Sequence, residues 1–167
     1  MDLCTPTPLN NRVGVPMKIV KALIDYSTPW SLPDIKFFTA NQVIKKNGEL
    51  VMGAGNALAV KKAIPAAPLI MGNGLLMKEK QAYVERITDG QFLGALATKV
   101  NWQNKSSLPF VIESLRKLYA IAKANPEMTL HVPYPAISNG GLTRDMLDQY
   151  VFQLPDNVII YCNESYL

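Results

Sequence analysis

Short apolar runs alternate with segments of helical apolar spacing along this chain. Four runs, at residues 17–24, 35–41, 128–132 and 158–162, have the length and side-chain content of buried strands. The strongest helical pattern follows Ser106 and Ser107, which offer an N-cap, and contains Pro109, which suits a first helical turn. Its apolar residues recur at i, i+3, i+4, i+7, i+10, i+11 and i+14, namely Leu108, Val111, Ile112, Leu115, Leu118, Tyr119 and Ala122. The alternation predicts an α/β protein with a central mixed sheet and helices on both faces.

Two segments between these elements are predicted as hairpins. Residues 83–87 and 92–98 flank Asp89-Gly90, a pair that tolerates the positive φ of a type I′ turn. Residues 69–71 and 75–77 flank a Gly-Asn-Gly sequence, which predicts a second, shorter hairpin. Both hairpins would interrupt the alternation of strands and helices, so the sheet is expected to be mixed rather than fully parallel.

Two glycine-containing loops each stand between a predicted strand and a helical pattern. The first is Met-Gly-Ala-Gly-Asn-Ala at residues 52–57, and the second is Ser-Asn-Gly-Gly-Leu at residues 138–142. The helix after the first ends before Pro65, and Thr143 is a candidate N-cap for the helix after the second. Such a loop directs backbone N–H groups at a helix N-terminus towards an anion. One loop of this kind is usually plain turn chemistry, but two in one small domain indicate a ligand with two phosphates, or with a phosphate and a ribose.

Asn41 and Lys99 also stand directly after predicted strands, as the two glycine loops do. Ligands of such sheets bind at the carboxyl ends of the strands. We therefore expect Asn41, Lys99 and both loops to lie together at one edge of the sheet.

Composition narrows the class of protein. The 167 residues suffice for one domain with its own core, and 49% hydrophobic with 18% charged residues predicts a folded chain. The net charge of +4 permits an anionic ligand, but no long lysine or arginine run marks a nucleic-acid-binding arm. Residues 1–16 contain three prolines and no periodicity, which predicts an irregular N-terminal arm.

Metal chemistry is not expected, because His131 is the single histidine and Cys4 and Cys162 match no zinc spacing. We predict neither a metal nor a cofactor. No stretch is long enough to span a bilayer, and the N-terminus is acidic and polar, unlike a signal peptide. These features predict a cytoplasmic protein without membrane contact, and we expect a monomer.

Three motifs in one order carry a resemblance to a known family. They are Met-Gly-x-Gly at residues 52–55, Thr-Lys-x-x-Trp at residues 98–102, and Asn-Gly-Gly-Leu at residues 139–142. Together they resemble the macrodomain fold, and within it the branch of terminal ADP-ribose–protein glycohydrolase and the DNA ADP-ribosyl glycohydrolase antitoxins. The similarity covers roughly residues 17–162. It implies a three-layer α/β/α macrodomain over residues 17–167 and ADP-ribose as the ligand.

The resemblance also implies ligand-binding residues. The first glycine loop would hold the diphosphate and approach the distal ribose, and the second would wrap both from the other side. Asn41 would touch the distal ribose, Asp25 the adenine amino group, and Tyr161 would border the adenine. The implied binding set is Asp25, Asn41, Gly53, Ala54, Gly55, Asn56, Ala57, Ser138, Asn139, Gly140, Gly141, Leu142 and Tyr161.

Catalysis in this branch implies a role for Lys99. A lysine at the Thr-Lys position attacks the anomeric carbon of the distal ribose, so Lys99 must be partly neutral to act. Some members place an aspartate directly after the Gly-Gly-Leu element, where this chain has Thr143. Asp145, two residues on, is the candidate acid, although an acid in a first helical turn also simply favours the helix dipole. Trp102 is predicted to pack the loop against the long helix, with shielding of Lys99 from water as the alternative. His131 is predicted to be a satisfied core histidine.

Three functions fit these residues. The first is hydrolysis of the ADP-ribosyl linkage on a modified protein or nucleic acid, with ADP-ribosylated DNA among the candidate partners, and Lys99 favours it. The second is non-catalytic capture of ADP-ribose or a related nucleotide, which the missing aspartate favours. The third is an ADP-ribose 1″-phosphate phosphatase, which no residue favours. The remaining alternative is a scaffold outside the macrodomain family that merely has glycine turns.

Overall fold

The computed structural model describes residues 17–78, 81–137 and 140–163. The predicted arm at residues 1–16, Cys4, and the predicted ligand residues Ser138 and Asn139 lie outside the described residues. The elements in chain order are β1 (Lys18–Lys21), β2 (Asp34–Ala40), α1 (Gly55–Ala63), α2 (Ala67–Lys78), β3 (Ala82–Thr88), β4 (Gln91–Ala97), α3 (Leu108–Ala124), β5 (Thr129–Pro133), α4 (Arg144–Val151) and β6 (Val158–Cys162). The strand at 17–24 is shorter than predicted and ends at Lys21.

The six strands form one mixed sheet in the order β1-β6-β5-β2-β4-β3. Every neighbouring pair is parallel except β3 and β4, which form the predicted antiparallel hairpin. Helices α3 and α4 pack on one face of the sheet, and α1 and α2 pack on the other. The predicted three-layer α/β/α architecture is therefore confirmed.

The helix α3 follows its apolar pattern closely. Its buried residues include Val111, Leu115 and Leu118, which the i, i+4, i+7 spacing places on one face. The side chain of Ser107 accepts a hydrogen bond from the backbone N–H of Phe110 and so caps the helix, as predicted. At 17 residues, α3 is the longest helix in the described part of the chain, where no helix has the length and apolarity needed to cross a bilayer.

The hairpin predicted at residues 69–77 is wrong, because these residues belong to α2. Gly72 and Gly74 are not turn residues but points of close packing. A Cβ on Gly72 would lie 2.0 Å from the carbonyl oxygen of Gly48, and one on Gly74 would lie 2.3 Å from the side chain of Glu85. Glycine within a helix usually costs about 1 kcal/mol relative to alanine, and here that cost allows the helix to approach its neighbours.

The turn of the β3–β4 hairpin also differs from the prediction. Within the described residues only Gly90 of the pair has a positive φ, at 76°, whereas a type I′ turn needs a positive φ at Asp89 as well. The strand register shifts between Arg86 and Thr88. This irregularity lets the strands close with one left-handed residue instead of two.

Strands β2 and β5 separate before they end, and this separation positions the site. They pair only from Asp34–Lys36 to Thr129–His131. Beyond that point β2 continues beside β4, and β5 continues beside β6. The chain leaves β2 towards one side of the sheet and leaves β5 towards the other. This is the topological switch point, where open α/β sheets bind ligands.

Candidate functional site

The loop between β2 and α1 is fixed to the end of β2 by Asn41. The Asn41 side-chain amide donates a 3.0 Å hydrogen bond to the carbonyl oxygen of Val51, and its Oδ1 accepts one of 3.0 Å from the N–H of Val43. Asn41 therefore spans the neck of this loop. The resemblance assigned it to the distal ribose, and the structure adds a role in holding the first glycine loop.

Backbone hydrogen bonds join three loops into a continuous rim at the carboxyl edge of the sheet. The Gln42 N–H donates a 2.8 Å bond to the carbonyl of Val100, which links the β2–α1 loop to the β4–α3 loop. The Ser106 N–H donates a 3.0 Å bond to the carbonyl of Gly140, which links the β4–α3 loop to the β5–α4 loop. The expectation that Asn41, Lys99 and both glycine loops lie at one edge is thus met for every part of them that the structure describes.

The first glycine loop leads into a helix N-terminus that no side chain caps. Ala54 is the N-cap residue of α1 and makes no side-chain capping bond, and the first turn carries no acidic residue. Gly55 has a φ of 60°, so the left-handed backbone that favours glycine lies here. Gly53 does not have a positive φ, and a Cβ on it would meet nothing within 4 Å. The free amides at this N-terminus suit an anion.

Asn56 connects this helix N-terminus to the strand beneath it. Its Oδ1 accepts a 2.7 Å hydrogen bond from the N–H of Thr39, and its Nδ2 donates one of 2.8 Å to the Thr39 hydroxyl. Thr39 lies on the part of β2 that no longer pairs with β5. Asn56 therefore accepts the hydrogen bond of a Thr39 backbone N–H that a neighbouring strand would otherwise accept. Ala57 is buried in the core under α1.

The second glycine loop is closed and tightly packed. The Leu142 N–H donates a 2.9 Å hydrogen bond to the carbonyl of Ala136. Ala136 has a φ of 66° and Gly141 one of 78°, so two left-handed residues turn the loop. A Cβ on Gly140 would lie 2.5 Å from the Ala136 carbonyl oxygen and 2.6 Å from the Ser106 hydroxyl oxygen. Sequence reasoning missed Ala136, because alanine carries no signal for a positive φ.

A carboxylate clamps the two ends of this loop. Tyr134 precedes the loop and donates a 2.5 Å hydrogen bond from its hydroxyl to Asp148, while Arg144 follows the loop and donates two bonds of 3.1 Å to both oxygens of Asp148. The pKa of Tyr134 is raised, mainly because the hydroxyl is buried and secondly because it donates a hydrogen bond to Asp148. The helix that carries the clamp, α4, is capped by the Thr143 hydroxyl, which accepts from the Met146 N–H, and has Asp145 in its first turn. Its N-terminus is therefore less suited to an anion than that of α1.

Lys99 and Asp145 are not paired. Lys99 is partly buried and follows Thr98, whose N–H donates a 2.9 Å bond to the carbonyl of Ala40 and extends the β2–β4 ladder. Asp145 is exposed on α4. Over the ranges 17–78, 81–137 and 140–163, no hydrogen bond or ion pair joins the two side chains. Lys99 therefore follows the β2–β4 ladder directly and makes no bond to Asp145.

Trp102 lies on the turn after Lys99, and its side chain is only partly covered by the protein. It is 51% exposed, and Val100 on the same loop is 57% exposed. Packing of the covered half of the Trp102 side chain against α3 stays a prediction. The turn is held by Asn101, whose Oδ1 accepts from the Gln103 N–H and whose carbonyl accepts from the Asn104 N–H.

The two residues assigned to the adenine end both make protein contacts. The carboxylate of Asp25 accepts hydrogen bonds from Ser27 and from the Thr28 hydroxyl, and these bonds hold the pKa of Asp25 well below its ordinary value. The Tyr161 hydroxyl lies 2.8 Å from Nδ1 of His131. Burial raises the pKa of Tyr161.

His131 is a satisfied histidine at the sheet, as predicted. Its side chain is 14% exposed, and both ring nitrogens are hydrogen-bonded, Nε2 lying 2.8 Å from Oδ1 of Asp34. The chain Asp34–His131–Tyr161 crosses three adjacent strands. It fixes the orientation of Tyr161.

This fold is the macrodomain fold. The chain is similar to the macrodomain of Thermus aquaticus DarG, with a TM-score of 0.68, 21% identity, and coverage of 90% of this chain and 99% of that one. It is similar to the macrodomain of Mycobacterium tuberculosis DarG, with a TM-score of 0.66, 24% identity, and coverage of 87% and 97%. A third similar structure is Thermosipho africanus DarTG in complex with ADP-ribose, with a TM-score of 0.62, 22% identity, and coverage of 78% of this chain but only 38% of that one. The sequence matches no protein-family model, and no curated protein matches it.

Proposed function

We propose that this protein binds ADP-ribose in the crevice between the diverging ends of β2 and β5. The observation that carries the proposal is the rim of three bonded loops around this crevice, with the uncapped N-terminus of α1 on one side and the closed loop at Gly140 on the other. Backbone N–H groups at such a terminus favour phosphate. The similar Thermosipho protein was solved with ADP-ribose, which supports the same ligand here.

The assigned contacts follow the positions of the residues along this edge. Gly53, Ala54, Gly55 and Asn56 would contact the diphosphate from the first loop, with Ala57 contributing only its backbone. Ser138, Asn139, Gly140, Gly141 and Leu142 would cover it from the second. Asn41 would meet the distal ribose, and Asp25 and Tyr161 the adenine.

The proposed activity is hydrolysis of an ADP-ribosyl linkage by Lys99. The neutral amine attacks the anomeric carbon of the distal ribose, the bond to the acceptor breaks, and the acceptor leaves with a proton. The ribose opens and forms an imine with Lys99. Water then adds to the imine, which releases ADP-ribose and restores the amine. Lys99 suits this role because it lies on the rim, directly beyond a β2–β4 ladder that fixes its backbone.

Binding and turnover are tested separately. ADP-ribose at about 100 times its dissociation constant should stabilise the fold by roughly 2.7 kcal/mol. Calorimetry and melting curves that both show no effect of millimolar ADP-ribose would exclude the binding site.

For turnover, release of ADP-ribose from modified protein and modified DNA is measured for the wild type, Lys99→Ala and Lys99→Arg. Both variants should bind but not release, since arginine stays protonated near neutral pH. Full activity in Lys99→Ala would refute the mechanism.

The second candidate is a binder without turnover. It is favoured by the exposed, unpaired position of Asp145 relative to Lys99 and by Thr143 where some relatives have an acid. Tight ADP-ribose binding by a wild type that releases nothing from either substrate would establish it. In both cases we propose a cytoplasmic monomer.

A further inference from the structure

The outer face of α2 is apolar along nearly the whole helix. Residues 63–77, which run from the end of α1 through nearly all of α2, contain no charged residue. Leu69, Leu76 and Met77 are 46%, 61% and 84% exposed. Together with the exposed Asn73 they fall at i, i+4, i+7 and i+8, which places them on one side of the helix. We call these four residues the α2 stripe.

The stripe is not what holds α2 on the sheet, because the opposite side of the helix does that. Met71 and Leu75 are buried in the core between α2 and the strands. The Tyr83 hydroxyl on β3 donates a 2.9 Å hydrogen bond to the carbonyl oxygen of Met71. A surface helix normally has polar residues on its outer side. An apolar outer side therefore indicates a contact with another molecule.

A pocket of about 240 Å³ opens beside the stripe and is lined by Gln42, Ile44, Leu75 and Leu76. One wall of the pocket is α2, and the other is the β2–α1 loop. The two walls are joined, since the Leu50 N–H donates a 2.9 Å hydrogen bond to the carbonyl of Pro68. A concave site of this kind receives a side chain that projects from a partner, as when an amphipathic helix lies in a groove. A smooth bilayer surface offers no such projection.

Part of the β2–α1 loop, the turn at residues 45–49, packs directly against α2. A Cβ on Gly72 would lie 2.0 Å from the carbonyl oxygen of Gly48, and a Cβ on Gly48 would lie 3.5 Å from Cδ1 of Leu69. The charged residues of this turn therefore border the N-terminal end of the stripe.

The charge around the stripe is mainly positive. Exposed lysines stand on the two segments next to α2, namely Lys45 and Lys46 in the turn and Lys61 and Lys62 in the last turn of α1. Of the acidic residues nearby, Glu49 accepts a 2.6 Å hydrogen bond from the side chain of Asn47, and Glu85 packs over Gly74 on the inner side of α2. Opposite charges across an interface steer association and fix its register, so this surface favours an acidic partner.

The size of the surface favours a single helix over a second copy of this chain. A stable protein–protein interface takes roughly 20–30 residues and about 800 Å² from each partner. The stripe has four residues, and the pocket adds three. From Leu69 to Met77 the helix rises by about 12 Å, or roughly two turns. That length matches the i, i+4 and i+7 anchors of one amphipathic helix.

We propose that the α2 stripe binds an acidic amphipathic helix of a partner protein. An apolar side chain of that helix enters the pocket, and its apolar face covers Leu69 and Met77. Its acidic residues pair with Lys45 and Lys46. The binding is independent of the proposed ADP-ribose site, because α2 packs beside β3, an edge strand that β4 separates from β2.

The test is fluorescence anisotropy with the full chain and a fluorescein-labelled helical peptide that has leucines at i, i+4 and i+7 and glutamates between them. The wild type should bind this peptide. Leu76→Ser should weaken binding by about 10-fold or more, as for the loss of a buried anchor. Lys45→Glu combined with Lys46→Glu should weaken it as well, and this loss should shrink as salt is added.

The matched control is Leu23→Ser, because Leu23 is 75% exposed in the connection between β1 and β2 and should leave peptide binding unchanged. A peptide with lysines in place of the glutamates should not bind. Leu23 and Leu76 are both exposed, so the two variants should keep the wild-type melting temperature and the wild-type affinity for ADP-ribose.

Absence of binding by the wild type, equal affinity for the two peptides, or equal losses in Leu23→Ser and Leu76→Ser would overturn the proposal. Sedimentation with phosphatidylserine vesicles that Leu76→Ser abolishes would assign the stripe to a membrane surface. A dimer that Leu76→Ser dissociates would assign it to a second copy. Either result overturns the acidic helix as the occupant. All of these outcomes leave the proposed ADP-ribose site in place, which calorimetry with free ADP-ribose tests on its own.

Discussion

The side-chain amide of Asn56 is hydrogen-bonded to Thr39 through both its oxygen and its nitrogen. This pair fixes the first turn of α1 to the part of β2 that no longer has β5 beside it. A helix N-terminus is useful for binding only if its amides are held in place. The Asn56–Thr39 pair provides that restraint from within the protein.

Asn56→Ala should therefore lower both stability and affinity. It leaves the Thr39 N–H and hydroxyl without their partner, which should cost about 1–3 kcal/mol in the free energy of unfolding. Urea denaturation and calorimetry with ADP-ribose measure the two effects. Asn73→Ala on the exposed face of α2 is the control and should change neither. Unchanged affinity in a destabilised Asn56→Ala would remove the first turn of α1 from the site.

The two central glycines should respond differently to alanine. Gly53→Ala adds a Cβ into open space at a φ without strain, so the melting temperature should hold while ADP-ribose affinity falls. Gly140→Ala places a Cβ against the Ala136 carbonyl and should lower both. Thermal melts with and without ADP-ribose distinguish them. Normal ADP-ribose binding by Gly53→Ala would contradict the phosphate role of the first loop.

Substitutions of Thr143 test whether the absence of a carboxylate at this position limits the rate of ADP-ribose release. Thr143→Asp places a carboxylate directly after the second glycine loop and, like threonine, caps the helix well. It should raise the rate of ADP-ribose release. Thr143→Asn is the matched control, since it caps without the charge and should leave the rate unchanged. Equal rates for the two variants would show that a carboxylate at this position does not assist Lys99.

Asp148 is predicted to hold the second loop. Asp148→Asn weakens the bonds from Tyr134 and Arg144, and the free energy of unfolding should fall by about 1–3 kcal/mol because charge-assisted bonds are lost. ADP-ribose affinity should fall as well. The control is Glu113→Gln on α3, whose ion pairs with Arg116 and Lys117 are exposed and should be worth less than about 1 kcal/mol. A loss no larger than that of the control would show that the clamp is dispensable.

Periodicity and loop chemistry predicted most of the elements because they depend on neighbours along the chain. Val111, Leu115 and Leu118 define α3 by spacing alone, and Ser107 caps it by its residue type. The glycines of α2 led to the wrong prediction of a hairpin, because the contacts that require glycine there involve residues far away in sequence. The carbonyl of Gly48 decides that position 72 must lack a side chain, and no local pattern contains that contact.

The site was predicted as a set of positions and not as a set of contacts. Strand ends placed Asn41 and Lys99 at one edge, since parallel strands share their carboxyl ends. The bonds from Asn56 to Thr39 and from Tyr134 to Asp148 depend on how side chains meet across the fold. The exposure of Trp102 could not be predicted from the sequence pattern either, because an aromatic residue near a long amphipathic helix can also pack against that helix.

The short pairing between β2 and β5 divides the sheet into two halves, β1-β6-β5 and β2-β4-β3, and in the described part of the chain the strands of the two halves pair with each other only over Asp34–Lys36 and Thr129–His131. A ligand bound between the unpaired ends of β2 and β5, which we call the seam, would contact both halves and hold them together. Its occupancy should slow amide hydrogen exchange at the ends of both strands at once, including residues on the far side from the phosphates. Ligand binding would then stabilise the pairing of the whole sheet, including strands that lie well outside the loops that contact the ligand.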